Sequence, residues 1–255
     1  MNLRKSDPIP FENKVLAFRA LKQGLKFSWD NWRMWQNYMI VSVDVGELAE
    51  ATRAVGRIVE ECYERQGERA VDVDVLDRLV GAVMRSAPNG EDKQTAGGPM
   101  ESQNPNEGKA LLPRVLDLFT RTILPRISSA RIFMAYARLL TYQSRWSDAL
   151  EAHMNAYRCS TGAGEFITTD IDRWREAVLQ VEELVEVMRN LGPRVGSPDD
   201  QSEITSESNG KQIKWRFQAR SVVRGLMGRT RDSFEGEPEW ERLQSLLDTL
   251  KNDMP

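Results

Sequence analysis

One pattern of large and small side chains occurs twice in the chain, with the same intervals between its members. The first copy, counted from Trp32, consists of Trp35, Tyr38, Met39, Ser42, Ala51, Val55 and Ile58. The second copy, counted from Ala130, consists of Phe133, Tyr136, Ala137, Leu140, Ala149, His153 and Ala156. Steps of three and four residues keep side chains on one face of an α-helix, and each copy contains two such runs. The pattern therefore predicts a repeated unit of two antiparallel helices.

The small residues of the pattern explain how the two helices of a unit pack. Ala137 and Ala149 let their helices approach closely, while the bulky residues fill the gap to the next helix pair. Such units cannot bury their apolar faces alone and must stack. The intervals are those of the tetratricopeptide repeat, whose template W-x2-L-G-x2-Y extends over 34 residues. The sequence therefore predicts an all-α solenoid of tetratricopeptide repeats that ends in degenerate capping helices.

Composition divides the chain into five segments. Helical periodicity fills a first repeat block over 10–85 and a second over 110–192. The residues between them, 86–109, are rich in Pro, Gly, Asn, Ser and Gln, which predicts a disordered surface insertion. An acidic, polar linker is predicted over 193–210, followed by C-terminal capping helices over 211–252.

The charge balance and the few cysteine and histidine residues exclude several classes of function. The chain has 38 acidic and 35 basic residues, so its formal charge is −3, which disfavours a globally basic nucleic-acid binder but allows a local basic patch. Cys62, Cys159 and His153 are too few and too far apart for a zinc site or a cysteine nucleophile. His153 is expected to pack between helices. We expect no catalytic residue, no cofactor and no metal, and hence no enzymatic activity.

Localisation is predicted from the same composition. The longest nearly apolar run, 38–43, is far shorter than a bilayer span, and the first ten residues lack the apolar core of a signal peptide. Two cysteines without a disulfide framework are typical of a reducing compartment. We expect a cytoplasmic protein, with the nucleus as the alternative, and no membrane partner.

Three further stretches resemble a particular protein family. They are the A-F-R-A-L-x-x-G-L-K helix at 17–26, the W-x-x-W-x-N-Y core at 32–38 and the S-x-D-V-G-E turn at 42–47. The chain resembles the C-terminal region of the tetratricopeptide repeat protein 27 family, whose fungal members are called essential for maintenance of the cell wall. The resemblance implies that this chain corresponds to the C-terminal portion of longer proteins. It also implies a non-enzymatic, co-chaperone-like scaffold, linked to cell-wall integrity in fungi and to assembly of a spliceosomal ribonucleoprotein.

The first helix of each repeat supplies the candidate residues of a partner groove. In the first copy these are Arg33, Gln36, Ile40, Val43 and Asp44, and in the second they are Arg131, Met134, Arg138, Thr141 and Tyr142. The second set is cationic and aromatic and suits an acidic peptide, while ordinary solvated groove lining is the alternative. A clamp for a terminal carboxylate is disfavoured, because only Asn37 occupies one of the positions that it needs.

A strongly basic segment lies near the C-terminus. Lys211 to Arg231 contains seven basic residues and no acidic one. Arg216, Arg220 and Arg224 share one helix face next to Lys214, and the residues predicted to face inward are Trp215, Ala219, Val222 and Leu226. The basic face suits RNA phosphates or an acidic protein surface. The alternative is a capping helix whose arginines pair with Glu182, Glu183 and Glu186.

These features together favour a protein–protein interaction scaffold, co-chaperone-like in the assembly of a larger complex. Its expected partner is a protein, either an acidic peptide or a ribonucleoprotein component. The alternative function is a ribonucleoprotein- or RNA-contacting module that uses the basic C-terminal helix.

Overall fold

The structure is a computed structural model, and it describes residues 10–66, 71–86, 105–161, 166–202 and 215–252. Within these ranges the chain forms ten α-helices and no strand, so the all-α prediction is confirmed. The chain divides into two compact units, Met1–Ser128 and Ser129–Pro255. In the described ranges no helix combines the length and the hydropathy that a bilayer span requires.

The first unit contains five helices that follow one another in the chain. They are α1 (Phe11–Phe27), α2 (Trp32–Val45), α3 (Leu48–Gln66), α4 (Val73–Ser86) and α5 (Pro105–Asp117), the last continued by a π-helical turn over Leu118–Ile123. Helix α5 packs against α3 and α4, so it joins the first unit, whereas the sequence grouped it with the second repeat block. It also begins at Pro105, inside the predicted insertion 86–109, because proline is well suited to the first helical position. Residues 87–104 of that insertion lie outside the described residues.

Helices α2 and α3 contain the residues of the first copy of the repeat pattern. Asn31 caps α2 by accepting a hydrogen bond from the backbone N–H of Met34. Gly46 ends α2 at φ 89°, a left-handed conformation that glycine adopts without a Cβ clash. Tyr38 is buried and its ring stacks on that of Phe18 in α1, with ring centroids 5.3 Å apart. The chain thus turns sharply at Gly46 and packs the repeat's large residues against the preceding helix.

The second unit contains five helices as well. They are α6 (Ala130–Tyr142), α7 (Trp146–Thr161), α8 (Ile171–Leu191), α9 (Trp215–Phe234) and α10 (Pro238–Asn252). Ala137 and Ala149 are fully buried in the α6–α7 pair, as the pattern predicted. The core of α8–α10 is built around Trp174, whose ring stacks on Phe234 at 4.7 Å and whose indole N–H donates to Thr230 at 3.2 Å.

Helix α9 is rotated slightly from the predicted orientation. The sequence predicted Val222 as an inward residue, but Val223 is fully buried and Val222 only half-buried. The helix also extends to Phe234, three residues beyond the predicted end at Arg231. The contacts of Thr230 and Phe234 with Trp174 fix the rotation of α9, and these contacts lie in its last turns.

Part of the predicted acidic linker has a structural role, because it caps helix α7. An Asp200 carboxylate oxygen accepts from the backbone N–H of Trp146 at 3.0 Å, and the Ser202 hydroxyl accepts from the N–H of Ser147 at 3.0 Å and of Asp148 at 3.3 Å. The first N–H groups of a helix have no partner within the helix, so these bonds satisfy groups that would otherwise be unpaired. Residues 203–214 lie outside the described residues.

We expect Asp200→Ala to lower the free energy of unfolding by about 1–2 kcal/mol at neutral pH, because it removes this cap. Partial burial alone would raise the pKa of Asp200, but hydrogen bonds from Ser202, the N–H of Gly196 and Ser147 outweigh it and lower that pKa. A lowered folded-state pKa means that the stabilisation is complete above the unfolded value of about 3.9 and is lost as pH falls through the folded value. Urea unfolding of both chains from neutral to acidic pH measures this.

The neighbouring Asp199 provides the matched control, because its side chain is exposed. Asp199→Ala should leave the stability unchanged within about 0.5 kcal/mol at neutral pH. The capping role of Asp200 is refuted if the two alanine variants unfold alike, or if the loss at Asp200 persists undiminished at the lowest pH.

Candidate interaction surfaces

The predicted groove residues of the second copy lie along the outward face of α6. Arg131 and Arg138 are exposed and Met134 between them is 43% exposed, while Thr141 and Tyr142 are half-buried. The opposite face of α6 is buried in the unit. The structure therefore places two guanidinium groups and a flexible apolar side chain along one accessible strip.

The groove residues of the first copy differ in charge and in exposure. Arg33 is exposed and lies over the Trp32 ring at 5.4 Å, whereas Gln36 and Ile40 are half-buried and Val43 is buried. These four residues present little charge to a ligand.

Asp44 connects three helices of the first unit. It accepts hydrogen bonds from Lys14 of α1, at 3.0 Å, and from Arg78 of α4. Partial burial alone would raise the pKa of Asp44, but these two cations outweigh it and lower that pKa. The carboxylate is thus neutralised within the unit.

An apolar trough between α1 and α2 was not identified from the sequence. Its lining residues are Ala17, Ala20, Leu21, Met34, Asn37, Ile40 and Val41. Phe11 and Leu16 of α1 are more than half exposed as well. The trough and these two side chains give the first unit an uncovered apolar surface.

Three arginines of α9 have no acidic partner among the described residues, whereas Arg231 of the same helix pairs with Glu235 at 3.2 Å. No carboxylate of the described residues forms an ion pair with Arg216, Arg220 or Arg224. Arg216 lies over the Trp215 ring at 5.3 Å, and the Arg220 Nε donates to the carbonyl of Arg216. Phe217 beside them is 64% exposed. Lys214, the fourth residue of the predicted patch, lies outside the described residues.

The predicted pairing of these arginines with the glutamates of α8 is therefore wrong. Glu182 instead pairs with Arg242 of α10, and Glu186 accepts a hydrogen bond from Asn190 of its own helix. Glu183 is exposed and forms no ion pair with any described residue. The rotation of α8 turns its glutamates toward α10 or toward solvent, away from α9.

Two of the isolated titratable residues, His153 and Cys159, lie on α7. His153 is half-buried, and burial lowers its pKa. Cys159 is half-buried, and the side chain of Cys62 lies outside the described residues. Among the residues that the structure describes, no group of three His, Cys, Asp or Glu side chains is arranged to bind a metal ion.

Comparison with known proteins supports the family resemblance. The chain is 34% identical over 240 residues to a TPR repeat-containing protein of Schizosaccharomyces pombe, covering 93% of this chain and 26% of that protein. It is 24% identical over 230 residues to Essential for maintenance of the cell wall protein 1 of Saccharomyces cerevisiae, covering 89% and 23%. It is also 24% identical over 256 residues to a tetratricopeptide repeat-containing protein of Caenorhabditis elegans, covering 94% and 30%. No family model matches the chain.

These relatives confirm the resemblance and the tetratricopeptide-repeat fold class. The matches extend over most of this chain, so they include both compact units. The chain spans only 23% to 30% of the length of these relatives.

Proposed function

We propose that the chain is a non-enzymatic scaffold that binds other proteins and acts, co-chaperone-like, in the assembly of a larger complex in the cytoplasm or nucleus. The outward face of α6 is its peptide-binding surface in this proposal. The supporting observation is Met134, which is 43% exposed between two exposed arginines on the first helix of a repeat. Two of the three relatives are named as repeat proteins, and the name of the third describes a role in maintenance of the cell wall.

The chemistry of this strip suits an acidic peptide with one apolar side chain. Guanidinium groups bind carboxylates through charge-assisted, often bidentate hydrogen bonds. A methionine side chain adapts its shape to different apolar groups. Arg131 and Arg138 lie seven residues apart on α6, or about 10 Å at 1.5 Å per residue, which matches the reach of a short bound peptide.

RNA contact by α9 is the second candidate function. Arg220 and Arg224 form no ion pair with any described carboxylate, and this favours RNA contact, since RNA phosphates would supply anions. The acidic balance of the whole chain, with 38 acidic against 35 basic residues, opposes it. We therefore rank protein binding first.

We expect Arg131→Glu/Arg138→Glu to weaken binding of an acidic peptide at least about tenfold, because two attractive contacts become repulsive. The probe is a short fluorescein-labelled peptide of glutamates around one leucine, and fluorescence anisotropy at several salt concentrations gives the dissociation constant. A second peptide with lysines in place of the glutamates should not bind the wild-type chain.

Arg158→Glu/Arg194→Glu is the control, since it makes the same charge change at exposed arginines of the same unit. It should leave the peptide affinity within about twofold if α6 is the binding surface. Equal weakening by both double variants, or equal binding of both peptides, contradicts the proposal.

A further inference from the structure

Helix α8 exposes an acidic stripe, defined here as Glu176, Leu179, Glu183 and Glu186. Steps of three and four residues place them on one helix face. All four are exposed, and Leu179 is 50% exposed. No described residue forms an ion pair with Glu176 or Glu183. The stripe thus presents Leu179 between two carboxylates, Glu176 and Glu183, that no described cation neutralises, while Glu186 lies 4.0 Å from Arg189.

Helix α9 of the same unit exposes the opposite combination. Its arginine face, defined here as Phe217, Arg220 and Arg224, surrounds a shallow concavity that Ser221 and Gly225 complete. A Cβ added at Gly225 would meet no atom within 4 Å, so there is free space above this glycine. The concavity is therefore available to an apolar side chain, with two guanidinium groups at its rim.

We propose that the arginine face of one molecule docks on the acidic stripe of a second molecule of this chain. The two surfaces match in charge, and each carries one exposed apolar side chain, Leu179 within the stripe and Phe217 at one end of the arginine face. Within one molecule the two surfaces form no ion pair with each other, so both remain available. This contact is independent of the α6 surface proposed above.

The spacing of the charges agrees with such a contact. Consider a parallel arrangement of the two helices in which Leu179 lies opposite Phe217. Glu186 then lies opposite Arg224, and Glu183 is one residue from the position opposite Arg220. If the helices run antiparallel, Glu176 lies level with Arg220. The acidic stripe extends over ten residues, about 15 Å, and the arginine face over seven residues, about 10 Å, so the arginine face fits within the length of the stripe.

A second molecule fits these observations better than RNA does. RNA would use the arginine face but would leave the acidic stripe and the exposed Leu179 unexplained. A net charge of −3 on 255 residues opposes the approach of two molecules only weakly. Complementary charges with a desolvated apolar centre are the usual composition of a protein interface.

The test measures self-association of the full chain by sedimentation velocity over a range of protein and salt concentrations. The wild-type chain should associate reversibly, and added salt should weaken the association. Arg220→Glu/Arg224→Glu and Glu176→Lys/Glu183→Lys should each raise the dissociation constant at least about tenfold, because like charges then face each other.

A mixture of the two double variants is the decisive experiment. In the mixture, the acidic α9 of one variant meets the basic α8 of the other, so the two variants should associate with each other although neither associates with itself. Arg158→Glu/Arg194→Glu and Glu151→Lys/Glu241→Lys are the controls, since they reverse exposed charges elsewhere in the same unit. Both controls should self-associate like the wild type, and circular dichroism should show that all variants are folded.

Several outcomes would overturn the inference. A wild-type chain that stays monomeric at every concentration refutes it, and so does a mixture that does not associate. Binding of a labelled oligouridine that depends on Arg220 and Arg224, without any self-association, would assign the arginine face to RNA instead.

Discussion

Replacing Trp174 by alanine should lower the free energy of unfolding of the second unit by about 3–5 kcal/mol. Trp174 is 0% exposed and is among the largest fully buried side chains of the described chain. Its removal leaves a cavity between α8 and α9 and abolishes the stack on Phe234. Thr230 keeps its hydrogen bond to the carbonyl of Leu226, so the loss comes mainly from packing. Urea unfolding followed by far-ultraviolet circular dichroism measures the change.

Two further variants separate packing from other effects. Leu179→Ala removes a half-exposed side chain from the same helix and should change the stability by at most about 0.5 kcal/mol in dilute protein. Trp174→Phe keeps an aromatic ring against Phe234 but loses the N–H and part of the volume, so it should fall between the other two. If Trp174→Ala costs no more than Leu179→Ala, the core of the second unit is not built as described.

The sequence predicts the helices well because their signals are local. On α8 the apolar residues that recur at intervals of three and four from Trp174 to Met188 are buried, since a period of 3.6 residues determines which side chains share a face. Gly46 ends α2 in the left-handed conformation, and Asp170 begins α8 by accepting from two backbone N–H groups. Each of these features depends on residues within one or two helical turns.

The candidate surfaces are less predictable because they depend on how one helix is rotated against another. The spacing correctly places Arg220 and Arg224 on one face of α9, but it does not say which carboxylates lie opposite. Tertiary contacts decide that question, and they pair Glu182 with Arg242.

A long-range contact explains one other departure from the predictions. The cap that Asp200 provides for α7 joins residues more than fifty positions apart, so no local signal predicts it. The acidic stripe, by contrast, has a readable signal: Glu176, Leu179, Glu183 and Glu186 occupy the positions of α8 opposite its buried face.

The second large effect is expected at Ala149, where the repeat pattern itself is tested. Ala137 of α6 and Ala149 of α7 are both 0% exposed, so the two helices approach each other over small side chains. Ala149→Leu forces extra atoms into this closely packed contact, and we expect it to cost about 3 kcal/mol, the upper end for overpacking. Urea unfolding of the full chain measures this loss.

Glu151→Leu introduces the same side chain at an exposed position of α7, two residues away. Leucine favours helix more than most residues do, so this control should change the stability by at most about 0.5 kcal/mol. Equal stability of Ala149→Leu and Glu151→Leu would mean that the small residues of the pattern reflect composition and not close approach of the two helices. A loss of stability confined to Ala149→Leu would instead show that the repeated intervals in the sequence reflect the packing of the helix pair. The reason is that the leucine lies on the buried face of α7 in one variant and on its exposed face in the other.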